Sequence, residues 1–401
     1  MLPITLLLAA AAAAFAPSVV ARTPALVPPQ GDGIATLAPD SDVRWVPFDL
    51  TPGNQIRFTL TLDARSLVAI LDTGVSHSVL ARKSAAADPA RITDGGKATA
   101  IGGAVPIGWL PTARLSLGGL TRTGGGVTVA DLPALATGSA TPVDILVGRD
   151  IVAGQALDID FANHRFRLLP SGQLPFAGAL APLSVSPTRR VYESSATIAG
   201  RRVAPLVLDT GDGAALTLSE PTWRAVRPNG LPTTTTISFG LAGAVTSTLA
   251  ILPRLSIGER VAREVEVRVE PEGGFSEQIG VAGRIGSGFL QHYRVLLDPS
   301  AGRMVLQPGP DADVPPLRST SGLLVGMEQG RLKVLHVMRD SPAAMTGWAA
   351  GDMICTIDGA AIPADYARSA LADWSIAPPG TIVRLGLCGG ALRSLTTRRF
   401  Y

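Results

Sequence analysis

Short apolar runs alternate with turns along most of the chain, a pattern typical of strands joined by tight connections. Residues 56–62, IRFTLTL, have an apolar side chain at every second position, whereas residues 67–71, LVAIL, are continuously apolar. Such runs are separated by segments rich in Gly and Pro, of which the chain has 44 and 32. The pattern predicts a mainly β protein in which 56–62 is a half-buried strand and 67–71 a fully buried one.

The buried strand at 67–71 runs directly into the tripeptide Asp72-Thr73-Gly74, and the apolar run 206–208 ends in the same way at Asp209-Thr210-Gly211. A single Asp-Thr-Gly is a common turn and carries little information. Two copies, each at the end of an apolar run, are far more specific.

Other landmarks repeat at nearly the same distance along the chain. Asp209 follows Asp72 by 137 residues, the run 254–258 (RLSIG) follows 114–118 (RLSLG) by 140, and Asp298 follows Asp160 by 138. Three landmarks in the same order predict a tandem duplication with one Asp-Thr-Gly in each copy.

The length of 401 residues suits two or three domains. We predict a first lobe at 46–170, a linker at 171–188 and a second lobe at 189–309. After a Pro-rich connection the pattern of apolar and turn residues changes, and residues 318–401 are predicted to form a separate domain. Residues 22–45 lack periodicity and are interpreted as a linker that could also act as an inhibitory propeptide.

Residues 1–21 have the features of a signal peptide, with no charge from Leu2 to Ala21 and small residues before the predicted cleavage after Ala21. We therefore expect a periplasmic or secreted protein. A membrane anchor is the alternative, but Pro17 interrupts the run near the minimum spanning length of roughly 17 residues. No other stretch of the sequence is long and apolar enough to span a membrane.

Charge and cysteine content limit the kinds of partner and cofactor that we expect. The formal net charge is +3, from 35 basic and 32 acidic residues without a dense basic cluster, which argues against a nucleic-acid partner. Cys355 and Cys388 could form a disulfide in an exported protein or remain buried thiols. Neither the two Cys nor the four scattered His have the spacing of a zinc site, so we expect no metal and no cofactor.

The first copy, with ILDTG at 70–74 and ILVGRD at 145–150, resembles the retropepsin family of aspartic proteases. The second copy, with LDTG at 208–211, GSGFL at 286–290 and YRVLLD at 293–298, is similar to the C-terminal lobe of pepsin-like enzymes. The resemblance implies two retropepsin-like β-barrel lobes with pseudo-two-fold symmetry in one chain, and Asp72 and Asp209 as the catalytic pair.

Two carboxyl groups held close together cannot both ionise, so one can act as a general base on water while the other donates a proton to the scissile carbonyl. The resemblance implies that Thr73 and Thr210 hydrogen-bond across to the opposite loop. Gly74 and Gly211 lack a Cβ, so their backbone can approach the carboxylates and donate N–H groups to them.

Glycine-rich stretches in both copies are candidates for flaps over the active site. The candidate residues are Ile101, Gly102 and Gly103 in the first copy, and Gly240 and Gly243 in the second. A symmetric pair of such flaps is closer to the retroviral arrangement than to the single flap of pepsin.

The second copy departs from the family pattern. Asp212 adds a third carboxylate beside the pair, which would raise the pKa of the pair unless Asp212 faces solvent or binds an Arg. Both 281–283 (VAG) and 284–286 (RIG) fit the apolar-apolar-Gly element in part. Glu264, Glu266 and Glu270 alternate with Val and are predicted to form the solvent face of a strand.

Residues 334–344 (VLHVMRDSPAA) and 351–359 (GDMICTIDG) resemble a PDZ domain, which implies a small α+β fold over 318–401. Residues 365–374 are expected to form the helix beside its peptide groove. The loop at the end of that groove would be Ser321-Gly322-Leu323-Leu324, a candidate binding site for a peptide or a protein C-terminus.

Together these features predict an exported, monomeric aspartic endopeptidase that cleaves a polypeptide substrate. One alternative is a catalytically silent protease fold that binds peptides through its PDZ domain. Another keeps the enzyme but pairs Asp72 with Asp72 of a second chain.

Overall fold

The computed structural model describes residues 33–137 and 142–401. It confirms the prediction of a mainly β protein, with 48% of residues in strands and 11% in helices. The predicted signal peptide and residues 22–32 of the predicted linker lie outside the described residues. Within the described ranges, no helix is both long enough and apolar enough to cross a membrane.

Residues 33–137 and 142–170, the described part of the first half, contain fourteen strands and one short α-helix. These are β1 (Ile34–Leu37), β2 (Val46–Pro47), β3 (Asp49–Leu50), β4 (Ile56–Leu62), β5 (Arg65–Leu71), β6 (Val79–Ala81), β7 (Thr93–Ala100), β8 (Gly103–Pro111), β9 (Arg114–Leu117), β10 (Leu120–Thr123), β11 (Gly126–Ala130), β12 (Ile145–Val147), α1 (Arg149–Val152), β13 (Gln155–Asp160) and β14 (Arg165–Pro170).

The second half, residues 171–309, contains eleven strands and three short α-helices. These are β15 (Ala179–Pro182), β16 (Ser184–Val185), β17 (Tyr192–Ile198), β18 (Arg201–Asp209), β19 (Leu216–Leu218), α2 (Glu220–Val226), β20 (Thr234–Gly240), β21 (Gly243–Ile257), β22 (Arg260–Val269), α3 (Phe275–Gln278), β23 (Gly283–Gly286), α4 (Ser287–Leu290), β24 (Tyr293–Asp298) and β25 (Arg303–Pro308).

The two halves share one strand order. In the first half the order β5-β12-β6-β11-β8-β7 begins with a parallel pair and then alternates antiparallel and parallel pairs, up to the antiparallel hairpin β8-β7. In the second half β18-β23-β19-β22-β21-β20 follows the same sequence of pairings. The internal repeat predicted from the sequence is therefore also a repeat of strand topology.

A separate six-stranded sheet, β15-β25-β24-β13-β14-β2, joins the halves. At its centre β13 of the first half pairs antiparallel with β24 of the second, with Leu157 opposite Leu297. One hydrophobic cluster runs through both halves and includes Phe58, Phe166 and Leu252. This shared core fixes the ends of β5 and β18 relative to each other.

Strands also form within the two segments interpreted as linkers. Residues 34–37 pair with β10, residues 179–182 pair with β25, and residues 184–185 pair with β17. The linker interpretation is wrong at these positions, because the segments add edge strands to the sheets.

The C-terminal part, residues 318–401, has its own sheet and its own buried cluster. Its elements are β26 (Leu323–Glu328), β27 (Arg331–Val337), α5 (Pro342–Met345), β28 (Met353–Ile357), β29 (Ala360–Ala361), β30 (Ile382–Leu387) and β31 (Leu392–Thr396). A disulfide joins Cys355 to Cys388 across the neighbouring strands β28 and β30. The prediction of one helix at 365–374 is wrong, because two 3₁₀ turns occupy Tyr366–Arg368 and Ala370–Ile376.

Candidate active site

Asp72 and Asp209 meet between the two halves, at the ends of the equivalent strands β5 and β18. The carboxyl group of Asp209 lies against Gly74 and that of Asp72 lies against Gly211, which brings the two carboxyl groups close together. Asp209 is 7% exposed, whereas the side chain of Asp72 is partly exposed. Both residues come from one chain, so the pair does not depend on a second copy of Asp72.

Each threonine of the pair of loops bonds to the opposite loop. Thr73 Oγ1 donates to the carbonyl of Leu208 at 2.7 Å and accepts from the N–H of Thr210 at 3.1 Å. Thr210 Oγ1 reciprocates, donating to the carbonyl of Leu71 at 2.7 Å and accepting from the N–H of Thr73 at 3.0 Å. Both side chains are fully buried. Four mutually satisfied hydrogen bonds in a buried site hold the two loops in one geometry.

The glycines of the motif allow the loops to approach closely. The N–H of Gly74 donates to Asp72 Oδ1 at 3.1 Å, and the N–H of Gly211 donates to Asp209 Oδ1 at 3.0 Å. A Cβ on Gly74 would overlap the carboxyl group of Asp209, and a Cβ on Gly211 would overlap that of Asp72. Only glycine fits at these two positions without displacing the opposite carboxyl group.

Burial and mutual repulsion shift the acidity of the pair. Burial, followed by the charge of Asp209, raises the pKa of Asp72 well above its usual value. Burial raises the pKa of Asp209 to about 6, with repulsion from Asp212 adding to the shift and attraction to Arg284 opposing it. One proton is therefore held between the two groups under mildly acidic conditions.

Asp212 does not face solvent. Its Oδ2 lies 3.1 Å from Arg284 Nε and accepts from Thr217 Oγ1 at 2.7 Å. Burial would raise the pKa of Asp212, but the guanidinium groups of Arg284 and Arg268 lower it below its usual value. Of the two arrangements considered for Asp212, pairing with an Arg is the one observed.

Glu270 also pairs with Arg284, at 2.8 Å, and is 5% exposed. The prediction that Glu270 lies on the solvent face of a strand is therefore wrong. Glu264 and Glu266 remain partly exposed on β22, but that strand ends at Val269, one residue before Glu270.

The apolar-apolar-Gly element of the second half is 284–286. Ile285 pairs with Leu208 in parallel register, as Val147 pairs with Leu71 in the first half. Arg284 therefore occupies the position of Leu146. Sequence reasoning missed Arg284 and Glu270 as members of the site, although an Arg within an otherwise apolar element was the available signal.

The predicted flap residues lie at the tips of two hairpins. Ile101 and Gly102 connect β7 to β8, and Leu241 and Ala242 connect β20 to β21. The N–H of Ala242 donates to the carbonyl of Ile101 at 3.2 Å, so the two tips touch. Gly103, Gly240 and Gly243 are the strand residues that flank these tips.

The predicted peptide-binding loop leads into β26. Ser321 Oγ accepts from the N–H of Leu323 at 3.2 Å, and Gly322 has a φ of +83° and packs on Ser341. Leu324 lies within β26, whose only partner strand among the described residues is β27. One edge of β26 is thus available in this sheet.

The C-terminal part rests on the hairpin of the second half. Thr235 Oγ1 of β20 lies 2.8 Å from His336 Nε2 and accepts from the N–H of Arg339 at 3.0 Å. Burial lowers the pKa of His336, which favours the neutral ring at this contact. The C-terminal part therefore contacts the same hairpin whose tip touches the tip of β7-β8.

Among residues 33–137 and 142–401, no group of three or more His, Cys, Asp or Glu side chains is arranged to hold a metal ion. Comparison of the chain with protein-family models and with curated proteins finds no significant match. The functional interpretation therefore depends on the geometry of the site.

Proposed function

We propose that the protein is an aspartic endopeptidase that hydrolyses peptide bonds with the Asp72 and Asp209 pair. The observation that carries this proposal is the close approach of the two carboxyl groups, each against the glycine of the opposite loop, in a geometry held by the reciprocal bonds of Thr73 and Thr210. Each of the two halves would be a retropepsin-like lobe, and the repeated strand order supports that assignment.

The chemistry follows from the shared proton. The ionised carboxyl removes a proton from a water molecule, whose oxygen attacks the scissile carbonyl carbon, while the protonated carboxyl donates to the carbonyl oxygen. The resulting diol collapses when its C–N bond breaks: the leaving nitrogen takes the proton that came from water, and a diol hydroxyl gives its proton to the carboxyl that donated first. The residues of the pair return to one proton between them, and no covalent bond to the protein forms.

The substrate would be an extended polypeptide segment lying between the paired carboxyl groups and the two flap tips. Hairpin strands supply backbone N–H and C=O groups that can bond an extended chain along its length. The meeting of Ile101 and Ala242 at the flap tips supports a cleft that closes over such a segment and must open to admit it.

Residues 318–401 are proposed to be a PDZ domain that takes a peptide or a protein C-terminus along the unpaired edge of β26. With the predicted signal peptide at 1–21, the proposed location is the periplasm or the exterior of the cell.

The test is cleavage of an unstructured protein by the full chain between pH 3 and 8, with Asp72→Asn and Asp209→Asn in parallel. Cleavage in water enriched in ¹⁸O should place one ¹⁸O atom in each new carboxyl terminus. Loss of cleavage in both variants supports the proposal. Persistent cleavage in either variant, or no cleavage by the parent at any pH, contradicts it.

A further inference from the structure

Arg284 is a buried basic side chain that pairs with Asp209, one of the two carboxyl groups. Its Nε is 3.3 Å from Asp209 Oδ2 and 3.1 Å from Asp212 Oδ2. Its Nη1 is 2.8 Å from Glu270 Oε1 and donates to Ser276 Oγ at 3.0 Å. The side chain is 4% exposed, so these contacts are little screened by water.

The surroundings of the two carboxyl groups differ. Asp209 Oδ1 accepts two backbone N–H groups, from Gly211 and Asp212, both at 3.0 Å. Asp72 Oδ1 accepts the N–H of Gly74 at 3.1 Å. Hydrogen bonds and cations that stabilise the charged form of a carboxyl group lower its pKa, and more of them act on Asp209.

The described residues of the first half show no counterpart to this arrangement. The position of Arg284 is occupied there by Leu146, and Val75 follows Gly74 where Asp212 follows Gly211. The pseudo-two-fold symmetry of the site is thus broken by one ion-pair cluster on one side.

The charged groups that face Arg284 come from several elements. Asp209 belongs to β18 and Asp212 to the loop after it, Glu270 follows β22, and Arg268 of β22 acts on Asp212. From α3, the ring of Phe275 lies 5.3 Å from the guanidinium carbon. The carboxyl group of Asp72, which lies against Gly211, is the remaining charged group of the cluster.

We propose that Arg284 is a positioning residue that fixes Asp209 as the ionised member of the pair and leaves the proton on Asp72. Asp212 and Glu270 moderate its effect, because they share its positive charge. The inference rests on the proposed function for its catalytic meaning. In that setting Asp209 removes the proton from water and Asp72 donates to the carbonyl oxygen.

The direct test is a ¹³C NMR titration of the full chain labelled at the aspartate carboxyl carbons. The signals of Asp72 and Asp209 are assigned by their loss in Asp72→Asn and Asp209→Asn. We expect the Asp209 signal to report ionisation at the lower midpoint and the Asp72 signal at the higher one. Ionisation of Asp72 at the lower midpoint overturns the inference.

Two variants should move the Asp209 midpoint in opposite directions. In Arg284→Met combined with Glu270→Gln, both partners of the buried pair are removed, and the midpoint should rise by about one pH unit. In Asp212→Asn, a repulsive charge is removed and Arg284 is shared by fewer carboxylates, so the midpoint should fall. A midpoint that stays constant or rises in Asp212→Asn contradicts the inference even if the double variant does not fold.

Two further variants separate a charge effect from a structural one. Arg284→Lys should restore most of the parental midpoint, because it keeps the positive charge. Arg294→Met removes a different Arg that pairs with a buried carboxylate, Asp158, at 2.9 Å. We expect this control to leave the Asp209 midpoint unchanged, and a shift equal to that of the double variant would contradict a specific role of Arg284.

The kinetic consequence is a matching shift of the acidic limb of the pH profile of kcat/KM, to higher pH in the double variant and to lower pH in Asp212→Asn.

Failure of the proposed function and failure of the charge assignment give different results. Absence of cleavage with the NMR order intact would overturn the proposed function and leave the charge assignment standing. Cleavage by the parent with Asp72 ionising first would overturn the charge assignment alone.

Discussion

The carboxyl group of Asp209 is held in a position that disfavours its own charge. Burial raises its pKa to about 6, whereas an aspartate in the unfolded chain titrates near 3.9. The folded state therefore binds more protons than the unfolded state between these two values. Stability is full below the unfolded pKa and falls as pH rises through the folded one.

Asp209→Asn should therefore stabilise the fold at pH 7, by about 3 kcal/mol, because the cost of ionising the buried group is removed. The amide oxygen can still accept the N–H groups of Gly211 and Asp212. Urea unfolding at pH 7 and at pH 4 measures the effect, which should nearly vanish at pH 4. A variant less stable than the parent at pH 7 would contradict this account.

Gly211→Ala should abolish the proposed activity, because its Cβ would overlap the carboxyl group of Asp72. We expect kcat to fall by at least about 100-fold, since small displacements of reacting groups carry such costs. Gly389→Ala is the matched control, because a Cβ there meets nothing within 4 Å. Full activity in Gly211→Ala would contradict the close approach of the two loops.

Residue-level chemistry was only partly accessible from the sequence. Asp72 and Asp209 could be found because each ends an apolar strand in a repeated context. Glu270 could not, because strand alternation holds only to Val269, where β22 ends, and the next side chain turns toward Arg284. Whether two side chains on different segments meet depends on the register of the strands. The apolar and polar pattern of one strand does not show that register.

At the scale of elements, the two hairpins β7-β8 and β20-β21 have equivalent registers next to their tips, and the tips meet. Ala100 faces Gly103 in one hairpin and Gly240 faces Gly243 in the other, so each tip has two connecting residues. Gly240 packs against Ile101 of the opposite tip without room for a Cβ. The contact between tips thus depends on a small residue.

Gly240→Ala should push the tips apart, raise amide hydrogen exchange at Ala242, whose N–H donates across the tips, and lower kcat/KM by up to about 100-fold. Hydrogen exchange with mass spectrometry and steady-state cleavage measure the two effects. Gly389→Ala is again the control. Unchanged exchange at Ala242 would show that the contact between tips does not exist in solution.

Strands and helices were predicted correctly where the periodicity of apolar residues was unambiguous. The prediction failed where tertiary contacts determine the local structure. The alternating run at 56–62 forms β4 with those bounds. At 365–374 the side chain of Trp374 bonds Tyr366 through Nε1 at 2.7 Å, and both rings enter the core. Ser369 between them is extended, with φ of −88° and ψ of 149°, so the chain forms two short turns instead of one helix.

At the scale of the whole molecule, the six-stranded sheet between the halves holds the site together. Asp158 of β13 is fully buried and binds Arg294 of β24 and Arg167 of β14, each at 2.9 Å. Because the sheet and the hydrophobic core are continuous across the halves, we expect them to unfold as one unit. The repeat predicted from the sequence anticipated this symmetry, but not the contact of His336 with β20.

The disulfide between Cys355 and Cys388 lies wholly within the C-terminal part and closes a separation of 33 residues. Replacing both cysteines with serine should destabilise residues 318–401 by about 2 to 4 kcal/mol. Calorimetry should show an earlier transition for this part and an unchanged one for residues 33–309. Loss of both transitions together would contradict the independence of the C-terminal core.

The central claim is that Asp72 and Asp209 of one chain form one hydrolytic pair. The most direct measurement is cleavage of an unstructured protein by Asp72→Asn alone, by Asp209→Asn alone and by an equimolar mixture refolded together. The account predicts that all three samples are inactive while the parent, treated identically, is active. Activity recovered in the mixture, or retained in either single variant, would contradict it.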